Sequence, residues 1–163
     1  MKRPQSSRLT EAEPNAETVR TQALAMLARR EHSGAELRMK LAAKGFPPDL
    51  IADALSGLDR EGWLSDERFV EVFVRVRRER GFGPLRIRAE LRERGVADEL
   101  IAVHLDESDP LWLQHLERAW TKRRGMRRSM NFAERARHMR FFQSRGFTNE
   151  QIRAVIKRGE AGQ

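Results

Sequence analysis

Apolar side chains return along this chain at intervals of three and four, in short runs that a glycine brings to a stop. Val19, Ala23, Met26 and Leu27 carry the first stripe, and the spacing predicts a helix over residues 16–31. Ser33 with Glu36 makes a capping-box pattern, Leu37 and Leu41 share a face, and Gly45 is the expected stop. Pro47 and Pro48 open a third helix with Ile51, Ala54, Leu55 and Leu58 inward and its end at Gly62. The plan then recurs: Ser65 or Asp66 caps a helix showing Phe69, Val72, Phe73 and Val76, which closes at Gly81. Pro84 starts a helix with Ile87 and Leu91 inward that stops at Gly95, and Leu100, Ile101 and Leu105 mark the next. A third round begins near Pro110 with Trp112, Leu116 and Trp120. It restarts at Asn131 with Glu134 in capping register, and finishes after Thr148 and Gln151 with Ile152, Val155 and Ile156.

The glycines Gly45, Gly95 and Gly146 are followed by Phe46, Val96 and Phe147, and they stand 50 and 51 residues apart. Aligned on them, Leu41, Leu91 and Phe142 fall four positions before, Ile51, Ile101 and Ile152 six after, and Leu55, Leu105 and Ile156 ten after. Nine helices in three triplets follow: an all-α, elongated tandem array of three three-helix repeats, right-handed and solenoid-like. The expected divisions are a disordered tail over 1–15 and repeats over 16–64, 65–108 and 109–159, the last one basic. Each triplet has few large apolar residues to set against a backbone ordering cost of about 1–2 kcal/mol per residue, so neighbours are expected to share cores. Trp63 and Leu64 at the first junction, and Leu105, Leu111 and Trp112 at the second, are the expected plugs.

Composition agrees with a thin stack: of 163 residues, 39% are hydrophobic and 34% charged, which is little apolar material for one compact globule. There is no cysteine, which removes disulfide and thiolate chemistry and points to a reducing cytoplasm. The first fifteen residues lack the apolar stretch of a secretory signal, and no run approaches membrane-spanning length.

The net charge of +8 is unevenly placed. Residues 1–64 hold ten Lys/Arg against nine Asp/Glu, residues 65–108 nine against ten, and residues 109–163 thirteen against five. Arg118, Lys122, Arg123, Arg124, Arg127 and Arg128 form a run without an acid, and a second concentration extends from Arg75 to Arg94. Such density points to a polyanionic or acidic partner. For the middle cluster, a solvated helical face accounts for the same residues equally well.

Catalytic patterns do not emerge. His32, His104, His115 and His138 show no metal-ligand spacing, and there is no His-Glu-x-x-His, nucleophile elbow or Walker lysine. Gly81-Phe82-Gly83 lacks a third glycine and follows a helix, so it reads as a helix stop joined to the Pro84 start. No enzyme activity, metal or cofactor is expected.

The segment Gly62-Trp63-Leu64-Ser65-Asp66-Glu67-Arg68-Phe69, continuing to Arg77, then Gly81-Phe82-Gly83-Pro84, Ile87, Leu91 and Gly95-Val96, resembles the central signature of the RecX family of recombination regulators. Arg30-Glu31-His32-Ser33 with Glu36-Leu37 and Lys40-Leu41 is similar to that family's first repeat. The third repeat is the looser match, since its middle helix starts at Asn131 without the Gly-x-Gly-Pro pattern. The resemblance implies a cytoplasmic modulator of the RecA recombinase that acts in homologous recombination, DNA repair and the SOS response. Such a protein lies in the groove of the RecA–DNA filament, limits its extension and lowers ATP hydrolysis and strand exchange, with no cofactor of its own and as a monomer.

For contact with filament or DNA, chemistry favours Arg75, Arg77, Arg78 and Arg80 beside the central turn, with Arg123, Arg124, Arg127 and Arg128 in the last repeat. A stand-alone DNA-binding module of helix-turn-helix type is the competing class. Against it, Asp49, Asp98 and Glu99 place acids at helix starts where phosphates would be met.

Overall fold

The computed structural model describes residues 15–125 and 130–161. The expected tail, apart from Asn15, and the arginines Arg127 and Arg128 lie outside the described residues. Among the described residues there are nine helices and no strand: α1 (Ala16–Leu27), α2 (Gly34–Ala43), α3 (Pro48–Arg60), α4 (Asp66–Glu79), α5 (Pro84–Glu93), α6 (Asp98–His104), α7 (Leu111–Arg124), α8 (Phe132–Ser144) and α9 (Asn149–Ala161). In each triplet the first and third helices pack side by side, α1 on α3, α4 on α6 and α7 on α9.

Local chemistry sets the starts. Asn15 caps α1 by accepting the Thr18 N–H at 2.9 Å, so it belongs to the helix and not to a tail. Asn131 with Glu134 and Thr148 with Gln151 close reciprocal capping boxes at 2.9 to 3.1 Å. Ser33 makes only half of one. Its Oγ accepts the Glu36 N–H at 3.0 Å, but the Glu36 carboxylate turns to Arg30 at 2.5 Å and Lys40 at 3.4 Å. The first helix also stops four residues short of its expected end, and the turn so freed brings Arg30 to Glu36.

Two cores form. Val19, Leu37, Leu41, Ile51, Leu58 and Leu64 close the first, within α1–α3 and the turn after them. The second runs without a break from Phe69 in α4 through Leu91, Ile101 and Trp112 to Phe142 and Ile156. Core sharing thus holds between the second and third triplets but not between the first and second, because the first joint is polar. There Arg68 gives Nε to Glu31 at 2.7 Å and its two terminal nitrogens to the Gly62 and Trp63 carbonyls, while Asp66 accepts the Gly34 N–H at 2.7 Å.

Two expected plugs are not plugs. Trp63 is 58% exposed and Leu111 42%. The left-handed turn at Gly62 (φ +77°) turns Trp63 outward and leaves Leu64 to enter the core. Leu111 stands one residue, about 100° of helix, off the stripe that buries Trp112. Leu105 and Trp112 are fully buried, and the indole N–H of Trp112 donates to the Asp106 carbonyl at 2.7 Å.

The middle helices abut end to end. At the α8–α5 joint, Gly83 N–H donates to the Arg145 carbonyl at 2.8 Å and Leu85 N–H to the Gly146 carbonyl at 3.0 Å, so unpaired groups of two helix ends satisfy each other. Gly146 sits at φ +89°, and a Cβ there would overlap the Arg86 backbone, just as one on Gly83 would overlap Gly146. The α5–α2 joint follows the same plan: Ser33 Oγ donates to the Arg94 carbonyl at 2.6 Å, and Gly95 (φ +71°) has Ala35 where a Cβ would go. Glycine recurs at 95 and 146 because another repeat's helix starts there. At Gly45 nothing does.

Candidate functional site

The end-to-end joints bring phenylalanines and arginines of different repeats into one alternating row. Arg94 lies over the Phe73 ring with its guanidinium carbon 4.8 Å from the centroid. Arg77 stands between Phe73 (5.2 Å) and Phe82 (5.1 Å). Arg145 reaches from α8's carboxy end over Phe82 (4.7 Å) and Phe141 (5.1 Å), and Arg123 of α7 covers Phe141 at 3.6 Å. Arg86 also approaches Phe82, at 4.8 Å. A ring face attracts a guanidinium by its quadrupole, at about 0.5–1 kcal/mol for exposed pairs, without removing its charge. The row therefore holds arginines in place without itself consuming their N–H donors.

Carboxylates offset only part of this face. Glu90 takes Arg77 at 2.7 Å and Arg86 at 3.0 Å. Among the described residues, Arg94, Arg123 and Arg145 have no ion pair; Arg94 and Arg145 donate instead to the Glu90 and Arg80 carbonyls, at 2.7 and 3.4 Å. Beside the row a cavity of about 400 Å³ is walled by Phe73, Arg77, Arg80 and Arg94 with Arg30 and Glu31, so the face extends to the first repeat; Glu31 is taken by Arg68.

The structure splits the four arginines that sequence placed together on α4. Residues two apart on a helix differ by about 200°, so Arg77 and Arg80 face the Phe73 cavity while Arg75 and Arg78 face His104 and His115 on the other side. Arg78 lies over the Trp112 ring at 4.2 Å and 3.7 Å from Asp109, which makes it a packing residue between the second and third repeats. Arg75 is exposed. Of the last-repeat group, Arg123 joins the row, Arg124 ends α7, and Arg127 and Arg128 lie outside the described residues.

Sequence reasoning counted Arg94 in the middle basic concentration without choosing it as a contact, and missed Arg145 and the three rings as contact residues. One signal was present: phenylalanine precedes arginine by four residues at 73/77 and 141/145, the spacing at which helical neighbours meet, and at 82/86, where Phe82 stands before α5. The histidines also hide a juxtaposition. His104 lies 3.7 Å from a Glu67 oxygen and 3.9 Å from one of Glu71, close enough for the three residues to share a cation. Arg75 and Arg78, on the same side of α4, weigh against a cation there. Burial, with Arg78 and Arg118 near, holds His115 below the ordinary histidine value.

This architecture has counterparts. Models of the three-helix domains of RecX match the chain in order, the first over residues 20–58, the second over 65–105 and the third over 113–156. The chain belongs to the RecX family. "Regulatory protein RecX" of Halorhodospira halophila is 44% identical over 147 residues, covering 90% of this chain and 91% of that protein. The protein of the same name from Chromohalobacter salexigens is 46% identical over 139 residues, 85% of this chain and 91% of the relative. In fold, the crystal structure of RecX from Lactobacillus salivarius superposes with a TM-score of 0.75 at 18% identity, covering 90% of this chain and 97% of that one. The RecX relatives are named as regulators, not as enzymes. Among the described residues, no helix is long and apolar enough to cross a membrane.

Proposed function

We propose that this RecX-family chain regulates the RecA recombinase in the cytoplasm, lying as a monomer in the groove of the RecA–DNA filament and restraining filament extension, ATP hydrolysis and strand exchange. The observation that carries this reading is the arginine–phenylalanine row. Its cations come from the second and third repeats, and three of them, Arg94, Arg123 and Arg145, lack an ion pair among the described residues. A filament offers acidic protein walls and DNA phosphates, and both accept guanidinium forks. Arg77 and Arg80 belong to this contact with Arg123, and Arg124, Arg127 and Arg128 are assigned to it from the acid-free basic run of the sequence alone. Arg75, on the opposite side of α4, meets a neighbouring protomer in the same groove. Arg78 contributes by fixing the third repeat against the second.

The test is binding of the purified chain to bare single-stranded DNA, bare duplex and RecA-coated DNA at two salt concentrations, together with RecA's DNA-dependent ATPase. Preference for the coated form with loss of ATPase is the expected result. Equal affinity for bare DNA with no effect on the ATPase would favour the stand-alone DNA-binding module.

A further inference from the structure

The first repeat is nearly neutral by count, yet it concentrates its cations around one cavity. Between α1 and α2 a recess of about 470 Å³ is lined by Arg29, Arg30, Lys40 and Lys44, with Gln22 and His32 among them and Ala25 and Met26 as an apolar wall. We propose that this recess is an anion site for a phosphate monoester, a ligand the size of a nucleoside monophosphate.

Four features support it. No carboxylate lines the recess; Glu36 takes both terminal nitrogens of Arg30 and pairs with Lys40, which cancels one of four positive charges and leaves Arg29 and Lys44 without an ion pair among the described residues. The excess suits a phosphate dianion better than a carboxylate, and arginine meets phosphate oxygens two at a time. His32 is 3% exposed, and its Nδ1 lies 3.0 Å from the Arg30 carbonyl, which places the ring proton on Nδ1. Its Nε2 is then a bare acceptor, 3.2 Å from Lys40 Nζ, so a buried neutral ring fixes the ammonium at the cavity wall. Lys44 is held likewise by Gln22 across the mouth, at 2.6 Å. Arg29 is exposed and has no ion pair among the described residues, leaving it to close on a ligand. The volume lies within the range of small-ligand sites, about 300–1,000 Å³.

Two sources carry this chemistry: a free nucleotide and the terminal phosphate of a strand. Arg30 also lines the cavity beside Phe73, so a strand ending here would run onto the arginine row. That extension rests on the proposed function, while the site itself does not.

The experiment is calorimetric titration of the full chain with a nucleoside monophosphate, the parent nucleoside, and short oligonucleotides with and without a 5′-phosphate. Wild type is compared with R29Q/K44Q, two substitutions at the cavity rim, and with R123Q/R145Q on the row. The expected result is binding of the monophosphate but not the nucleoside, weakened at least about tenfold in R29Q/K44Q and unchanged in R123Q/R145Q. A gain from the 5′-phosphate on the oligonucleotide identifies a strand end as the source; its absence identifies the free nucleotide. No monophosphate binding at millimolar concentration, or equal binding by wild type and R29Q/K44Q, overturns the proposal. Loss of RecA inhibition in R123Q/R145Q with monophosphate binding intact separates this site from the filament contact.

Discussion

Gly146→Ala tests the end-to-end joint, and Gly45→Ala supplies its control. Both glycines end a middle helix in the left-handed region, at φ +89° and +86°, and a side chain there costs about 1–2 kcal/mol. At Gly45 an added methyl meets open space, whereas at Gly146 it overlaps the Arg86 backbone. Relieving that overlap moves α5 off α8 and breaks the bonds from Gly83 and Leu85, at about 0.5–1.5 kcal/mol each. The expected losses are about 1–2 kcal/mol for G45A and about 2–5 kcal/mol for G146A. Urea unfolding followed by circular dichroism and by tryptophan fluorescence measures both, with Trp112 and Trp120 reporting on the shared core. Equal destabilisation of the two variants, within about 0.5 kcal/mol, would refute the joint as the reason for glycine at 146.

Arg68→Ala loosens the polar first joint by removing bonds to Glu31, Gly62 and Trp63. The expected loss is about 1–2 kcal/mol, with hydrogen exchange accelerated in α1–α3 and not in α7–α9. Arg68→Lys does not rescue it, since an ammonium lacks the planar fork. Phe82→Leu removes the ring shared by Arg77, Arg86 and Arg145; Phe82 is not in the fully buried core, so stability falls by less than about 1.5 kcal/mol while filament affinity drops. For pH, burial holds His32 below the ordinary histidine value, against the opposing pull of its hydrogen bond to the Arg30 carbonyl. The unfolded chain then binds the proton more readily than the folded one. Stability is full above about pH 6.5 and declines as pH falls toward the folded value. Melting temperatures between pH 7.5 and 5 should show this decline and should show it reduced in His32→Gln.

The glycine period, helix count and most caps were legible because they are local: a left-handed stop, a proline at a first turn and an Asn-x-x-Glu box are each complete within a few residues. The row was legible only in its local half. Phe73 with Arg77 and Phe141 with Arg145 lie one helical turn apart, whereas Arg145 over Phe82 spans 63 positions of sequence and exists only because Gly83 docks on Gly146. Trp63 and Leu111 misled because a large apolar residue at a junction reads as a plug, while the turn at Gly62 and a one-residue phase shift at Leu111 decide which neighbour is buried. The unity of Arg75, Arg77, Arg78 and Arg80 was an artefact of reading a helix as a line.

The most direct test of the filament-facing arginine row is the triple variant R94Q/R123Q/R145Q, titrated onto RecA-coated single-stranded DNA across a salt series with the melting temperature as a folding control. A folded variant that binds more weakly, with a shallower dependence of log affinity on log salt than the parent, is the predicted result. A folded variant that keeps the parent's affinity and slope would contradict it.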